Sequence, residues 1–231
     1  MSDATTRQGA GFRGFIRNRF FLGGLLAASF LYTLFLCFQA NPLLEESTAS
    51  EIGMRKPALF LIFLLLIGPT FFFNLWNLYE TYQCPKWLDR LGRALACLGV
   101  CVLPVLFLVN GKIVDGERVY YGISMQVHWA CSITYIACSF ACAGFLFLHA
   151  RRQVPRLNIF VVTIIVTVAA MLSVIIFVGK SGLFEAIPCW IQYIVLFLVN
   201  CTNLFAPPQK KPRVYYFSHF GRGKKSNTTA K

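Results

Sequence analysis

Of 231 residues, 57% are hydrophobic and 13% are charged, against roughly 45–50% and about 25% in soluble domains. That balance excludes a soluble globular protein, because the apolar residues fall in runs too long for a single core of this size to bury. The 22 Lys+Arg against 9 Asp+Glu give a net charge of +13, which in a bilayer protein reports on topology before it reports on nucleic acid.

A hydrocarbon core about 30 Å thick is crossed by roughly 20 apolar residues of helix, and six stretches qualify: 20–39, 57–78, 94–109, 122–148, 158–179 and 183–206. The predicted fold class is all-α, a polytopic transmembrane bundle of six helices with both termini cytosolic. Residues 1–19 form a basic cytosolic N-terminus, 20–206 the six-span domain and 207–231 a basic cytosolic tail. The first run is expected to span rather than be cleaved, since Phe38 occupies the minus-three position before Ala40, where signal cleavage requires a small residue. The third run is the shortest and carries Pro104 near its end; Pro69 and Pro188 interrupt two others. Trp76, at the end of the second run, and Tyr79, Tyr82 and Trp87 beyond it fall in the pattern of an interfacial aromatic belt.

Lys and Arg divide unevenly between the two faces. Four precede the first span, three lie between Lys86 and Arg93, three between Arg151 and Arg156, and seven follow Pro208, 17 in all. The remaining loops hold 5: Arg55, Lys56, Lys112, Arg118 and Lys180. The positive-inside bias then places both ends in the cytosol. Eight of the nine cysteines fall within spans and Cys84 in a cytosolic loop, so no disulfide framework is expected. The glycosylation patterns at Asn200 and Asn227 lie in a span and in the tail, out of reach of the lumenal machinery.

Within the fourth span, His128, Cys131, Ser132, Tyr135, Ser139 and Cys142 recur at helical spacing as one weakly polar stripe, which should face protein. A metal cluster of His128 with Cys138 is excluded by reach, ten residues being about 15 Å along a helix. No metal and no cofactor is implied, and no residue is assigned a catalytic role. An ionisable group within a span is a functional candidate. His128 and Glu185 enter from the lumenal side at similar depth, with Gln192 two turns deeper on the face of Glu185 and Tyr193 beside it. These four form the candidate lumenal polar site. In the tail, Lys210, Lys211, Arg213, Arg222, Lys224 and Lys225 interleave with Tyr215, Tyr216 and Phe217 as a candidate lipid-binding segment, each basic residue near an anionic leaflet contributing about 1 kcal/mol. Phosphate-binding loops, serine-hydrolase elbows and zinc-protease motifs are absent, as is a clustered carboxylate set.

Several of these features together resemble the Frag1/DRAM/Sfk1 family. They are the six spans with cytosolic ends, a first lumenal loop running through Ser50-Glu51-Ile52-Gly53-Met54-Arg55-Lys56-Pro57, a His at the head of the fourth span and the Gln192-Tyr193 pair in the sixth. The resemblance covers most of residues 20–206. His128 falls where the family places a His and Gln192-Tyr193 where it places Glu-Tyr, so the amide replaces a titratable carboxyl; Thr70 and Phe71 follow Pro69 where an Arg is expected. The resemblance implies a multi-pass protein of the Golgi or endoplasmic reticulum membrane, acting in lipid remodelling of GPI-anchored proteins as an accessory factor or acyltransfer component. Membrane lipids, GPI-anchored proteins or a partner membrane protein are the partners it implies, and nucleic acid is not. The alternative is a non-enzymatic scaffold organising lipids or partner proteins, in autophagy or at plasma-membrane phosphoinositides; a transporter stands third.

Overall fold

Each of the six apolar runs forms one long helix in the computed structural model, which describes residues 18–207. Helix α1 (Arg19–Cys37) starts at Asn18, whose side-chain oxygen accepts the Phe20 and Phe21 N–H groups at 2.9 and 3.3 Å and so satisfies two of the donors that a helix start leaves open. A one-turn segment, Glu45–Ser47, and a short helix α2 (Ala49–Arg55), capped by Thr48, occupy the first long loop. Then follow α3 (Pro57–Thr81), α4 (Lys86–Leu108), α5 (Ser124–Ala150), α6 (Asn158–Phe177) and α7 (Gly182–Cys201). Pro57 opens α3, where its missing N–H removes no intrahelical bond.

Two features depart from the sequence expectation. Helix α4 begins at Lys86, two turns before its apolar run, because its polar turns are tied to the end of α3. Arg93 Nε donates to Asp89 Oδ1 at 2.8 Å, and its guanidinium lies 3.9 Å from the Trp76 ring centroid. Between α4 and α5 the chain forms a hairpin, β1 (Lys112–Val114) and β2 (Glu117–Val119), with Ile113 opposite Arg118. Asp115 and Gly116, at φ 53 and 84, make its two-residue turn, the left-handed pair that the twist of two antiparallel strands requires.

Helix α3 lies at the centre, touching α1, α2, α4, α5 and α7; α1 runs along α7, α4 along α5, and α6 sits outside between α5 and α7. Helix α6 leaves Ile159, Val162, Ile165, Val166, Leu172 and Ile176 exposed, as a lipid-facing helix does. Both described ends of the chain meet at one end of the bundle, where Arg19 Nη1 donates to Asn203 Oδ1 at 2.7 Å. This is the terminal end; the opposite one, carrying α2 and the hairpin, is the hairpin end.

In lipid, apolar surfaces gain little by meeting one another, so close packing and interhelical hydrogen bonds must hold such a bundle. At Gly92 a Cβ would fall 2.1 Å from the Tyr79 ring, so only glycine admits this approach of α3 to α4. Tyr79 in turn donates its hydroxyl to the Cys142 carbonyl at 2.8 Å, and Tyr82 donates to that of Phe205 at 2.7 Å. The aromatic-belt expectation therefore fails for these two tyrosines, which are buried within the protein, and fits the exposed Trp87. A polar seam joins α1, α3 and α7. Asn77 donates to Asn200 Oδ1 (2.8 Å), Asn200 to Asn74 Oδ1 (2.9 Å) and Asn74 to the Thr70 carbonyl (2.9 Å). The hydroxyls of Thr70 and Ser29 lie 2.7 Å apart, and Thr33 donates to the Ser29 carbonyl at 2.7 Å.

Candidate functional site

The hairpin end is built from charged loops folded onto helix starts. Arg118, on β2, donates through Nη1 to Glu45 Oε1 at 3.0 Å and through Nε to Glu51 Oε1 at 2.8 Å. One guanidinium thereby holds the hairpin to both the one-turn segment and α2. Asn110, just after α4, donates to the Ser50 carbonyl at 3.3 Å. Ser47 Oγ accepts the Gly182 N–H at 2.9 Å, and Glu185 Oε2 accepts the Ala49 N–H at 3.2 Å, seating the first loop on the start of α7. The Lys180 ammonium stands 3.2 Å from the Trp129 ring centroid.

Electrostatics differ between the two bridged glutamates. The hydrogen bond from Arg118 draws Glu45 below the usual carboxylate range. Burial pushes Glu51 up, outweighing the same Arg118 charge. Burial also lowers Lys180, opposed by Glu185, Glu45 and Glu51. Glu51 is 3% exposed, and although Arg118 takes its Oε1, its Oε2 has no partner. Asn110 Oδ1, Ser124 Oγ and His128 Nδ1, all buried in the same end layer, are likewise unpartnered. Such groups are costly to leave open within a protein, and all four can accept a hydrogen bond.

The four residues expected to form one site are divided by the structure. His128 lies four residues into α5 and Glu185 three into α7, about 6 and about 4.5 Å along their axes, so both belong to the hairpin-end layer. No hydrogen bond joins them: Glu185 is bonded to Ala49 and exposed, while His128 is buried with the Tyr120 ring at 6.4 Å. Gln192 and Tyr193 lie roughly 10 Å deeper than Glu185. Tyr193 stacks on Phe71 at 5.7 Å with its hydroxyl 3.5 Å from that of Thr33. Gln192, its Nε2 unpartnered, faces a narrow crevice lined also by Phe71, Ser139, Phe147 and Thr167. That crevice separates the middle of α5 from α7. The polar stripe of α5 does face protein, with His128, Cys131, Ser139 and Cys142 all buried. The tail positions Lys210, Lys211, Arg213, Arg222, Lys224 and Lys225 lie outside the described residues.

Three important residues were not singled out from sequence. Glu51 follows Thr48 at the spacing of a helix cap, and Arg118 sits two residues after an Asp-Gly turn. Both signals were legible. Lys180 carries none, its position over Trp129 arising only when α6 and the loop that follows it pack along α5. Among the described residues no three His, Cys, Asp or Glu side chains gather as a metal site.

Fold and site together define a multi-pass membrane protein of six helices with a polar layer at one end. No family model, curated protein or solved structure matches the chain.

Proposed function

We propose that the protein acts in lipid remodelling of GPI-anchored proteins, in the Golgi or endoplasmic reticulum membrane, with the terminal end in the cytosol and the hairpin end in the lumen. It works there as an accessory factor or acyltransfer component. The single observation that carries a lipid-handling role is the hairpin-end layer. Buried, unpartnered polar atoms at the head of a membrane-spanning bundle are placed to meet a lipid headgroup. The resemblance to the Frag1/DRAM/Sfk1 family, nearest to post-GPI attachment to proteins factor 2, supplies the GPI assignment, and His128 is the residue common to both. The 17-to-5 division of Lys+Arg supports the orientation.

The test is mass spectrometry of GPI lipids in a null cell, restored by the wild-type chain and by His128→Ala or Glu185→Ala. Impaired remodelling with normal expression supports the reading; a normal GPI-lipid profile in the null cell overturns it. A second reading, a scaffold that organises lipids or partner proteins, is favoured by the seven Lys+Arg after Pro208. Deleting the tail separates the two, since lumenal remodelling survives that deletion and tail-mediated scaffolding does not.

A further inference from the structure

The hairpin-end layer has a definite chemical polarity. Glu51 Oε2, Asn110 Oδ1, Ser124 Oγ and His128 Nδ1 are buried polar atoms that no partner in the described chain reaches. Ser124 Oγ and His128 Nδ1 can donate or accept, but the ionised Glu51 and the Asn110 amide oxygen accept only, so a ligand that satisfies those two must bring N–H or O–H groups. Charge narrows the choice. The loops and helix starts of this end carry six carboxylates, Glu45, Glu46, Glu51, Asp115, Glu117 and Glu185, against five cations, Arg55, Lys56, Lys112, Arg118 and Lys180, one negative charge in excess; Arg118 is already held by Glu45 and Glu51, and Arg55 by Glu46. Lys180 rests on Trp129 with no carboxylate in ion-pair distance among the described residues. An acceptor set with excess negative charge lies beside an unpaired ammonium, so the layer is complementary to a zwitterion. Its ligand carries a positive donor for Glu51 and a negative group for Lys180.

The direction of approach identifies the source. Ser124 and His128 lie on the first turns of α5, where Ile123, Met125 and Trp129 are exposed, as apolar side chains set into a leaflet are. We infer that the hairpin-end layer binds the headgroup of an ethanolamine phospholipid from the adjoining leaflet, with the primary ammonium on Glu51 Oε2 and Asn110 Oδ1 and the phosphate on Lys180. A primary ammonium offers three N–H donors; a choline headgroup has the same charge and none. The inference rests on the reading of this end as a headgroup site, and not on the GPI assignment.

The decisive experiment varies the headgroup rather than the protein. The purified full chain is titrated with phosphatidylethanolamine, its N-methyl and N,N-dimethyl forms, phosphatidylcholine and phosphatidylinositol, all with the same acyl chains, and retained lipid is read by native mass spectrometry. Retention should fall with each N–H removed, by roughly tenfold from ethanolamine to choline for one charge-assisted hydrogen bond. Glu51→Gln should abolish that preference. Because this variant also weakens the Arg118 clamp, Asn110→Leu, which leaves the clamp in place, should reduce the preference as well. Equal retention of ethanolamine and choline lipids overturns the proposal, as does a preference for inositol. Soluble phosphoethanolamine competing as well as the lipid would overturn the leaflet as its source. An ethanolamine preference in a protein whose loss leaves GPI lipids normal sinks the GPI reading alone; no preference, with GPI lipids altered in the null cell, sinks this inference alone.

Discussion

Asn77 Nδ2 donates to Asn200 Oδ1 at 2.8 Å, joining α3 to α7 near the terminal end across 123 residues of chain. Asn200 spends its own amide on Asn74, so one side chain completes a three-residue relay in which every amide has a partner. Asn200→Leu should strand Asn77 and Asn74 and cost about 1–3 kcal/mol, read as a lower unfolding midpoint in detergent or bicelles. The Asn77→Leu, Asn200→Leu double variant should lose less than the sum of the singles; strict additivity would show that the relay does not act as a unit.

Gly182 gives a sterically sharper prediction. A Cβ there would fall 2.3 Å from the Ser47 carbonyl oxygen and the same distance from its hydroxyl. Gly182→Ala should therefore lift the first loop from α7 while leaving the spans folded. Faster amide hydrogen exchange across 45–55, with unchanged helical content, is the expected signature. Exchange equal to wild type would mean that the loop is seated by other contacts.

The opposite shifts of Glu51 and Glu45 predict a stability profile with a maximum in mild acid. Glu51 titrates above the ordinary value of 4.5, so between the two values the folded state binds more protons than the unfolded one and stability rises as pH falls. Glu45 titrates below 4.5, so its contribution is complete above that value and is lost as pH drops further. Glu51→Gln should flatten the rise and Glu45→Gln the acid-side fall, as measured by thermal unfolding of each variant against wild type. A Glu51→Gln profile identical to wild type would remove Glu51 as the cause.

Orientation is open to direct measurement. Tags at both ends should be reached by antibody after permeabilisation of the plasma membrane alone, whereas a cysteine-reactive probe site in the 115–116 turn should be reached only after the internal membranes are opened. Glycan addition at Asn227 would place the tail in the lumen and reverse the assignment.

The tail carries seven Lys+Arg interleaved with Tyr215, Tyr216 and Phe217. A tail peptide should bind anionic liposomes and release as salt passes about 0.15 M, where the screening length is about 8 Å. Binding to neutral liposomes with the same strength at every salt concentration would rule out an electrostatic attachment.

From residue order alone, the protein is legible as six spans in a membrane, because a bilayer demands long apolar runs whose backbone bonds close within each helix. The same physics sends the α5 stripe inward, since polar groups at helical spacing cannot face lipid without cost. The start of α4 was not legible, because a polar helical turn has no apolar run to mark it and is held by the partners Arg93 finds on α3 and within its own helix. The candidate site was legible only in part. Counting residues along each helix sets His128 and Glu185 at similar depth, near the starts of α5 and α7. Their direct pairing was not decided by depth. Helix neighbours are chosen in three dimensions, and the tertiary structure gives Glu185 to Ala49, sets Gln192 against a crevice far below, and buries Glu51 where Arg118 of the hairpin reaches it. Composition and periodicity determine which segments enter the bilayer; which polar groups meet at its edge depends on contacts between residues as distant as 45, 51, 118 and 180, and those exist only once the helices have packed.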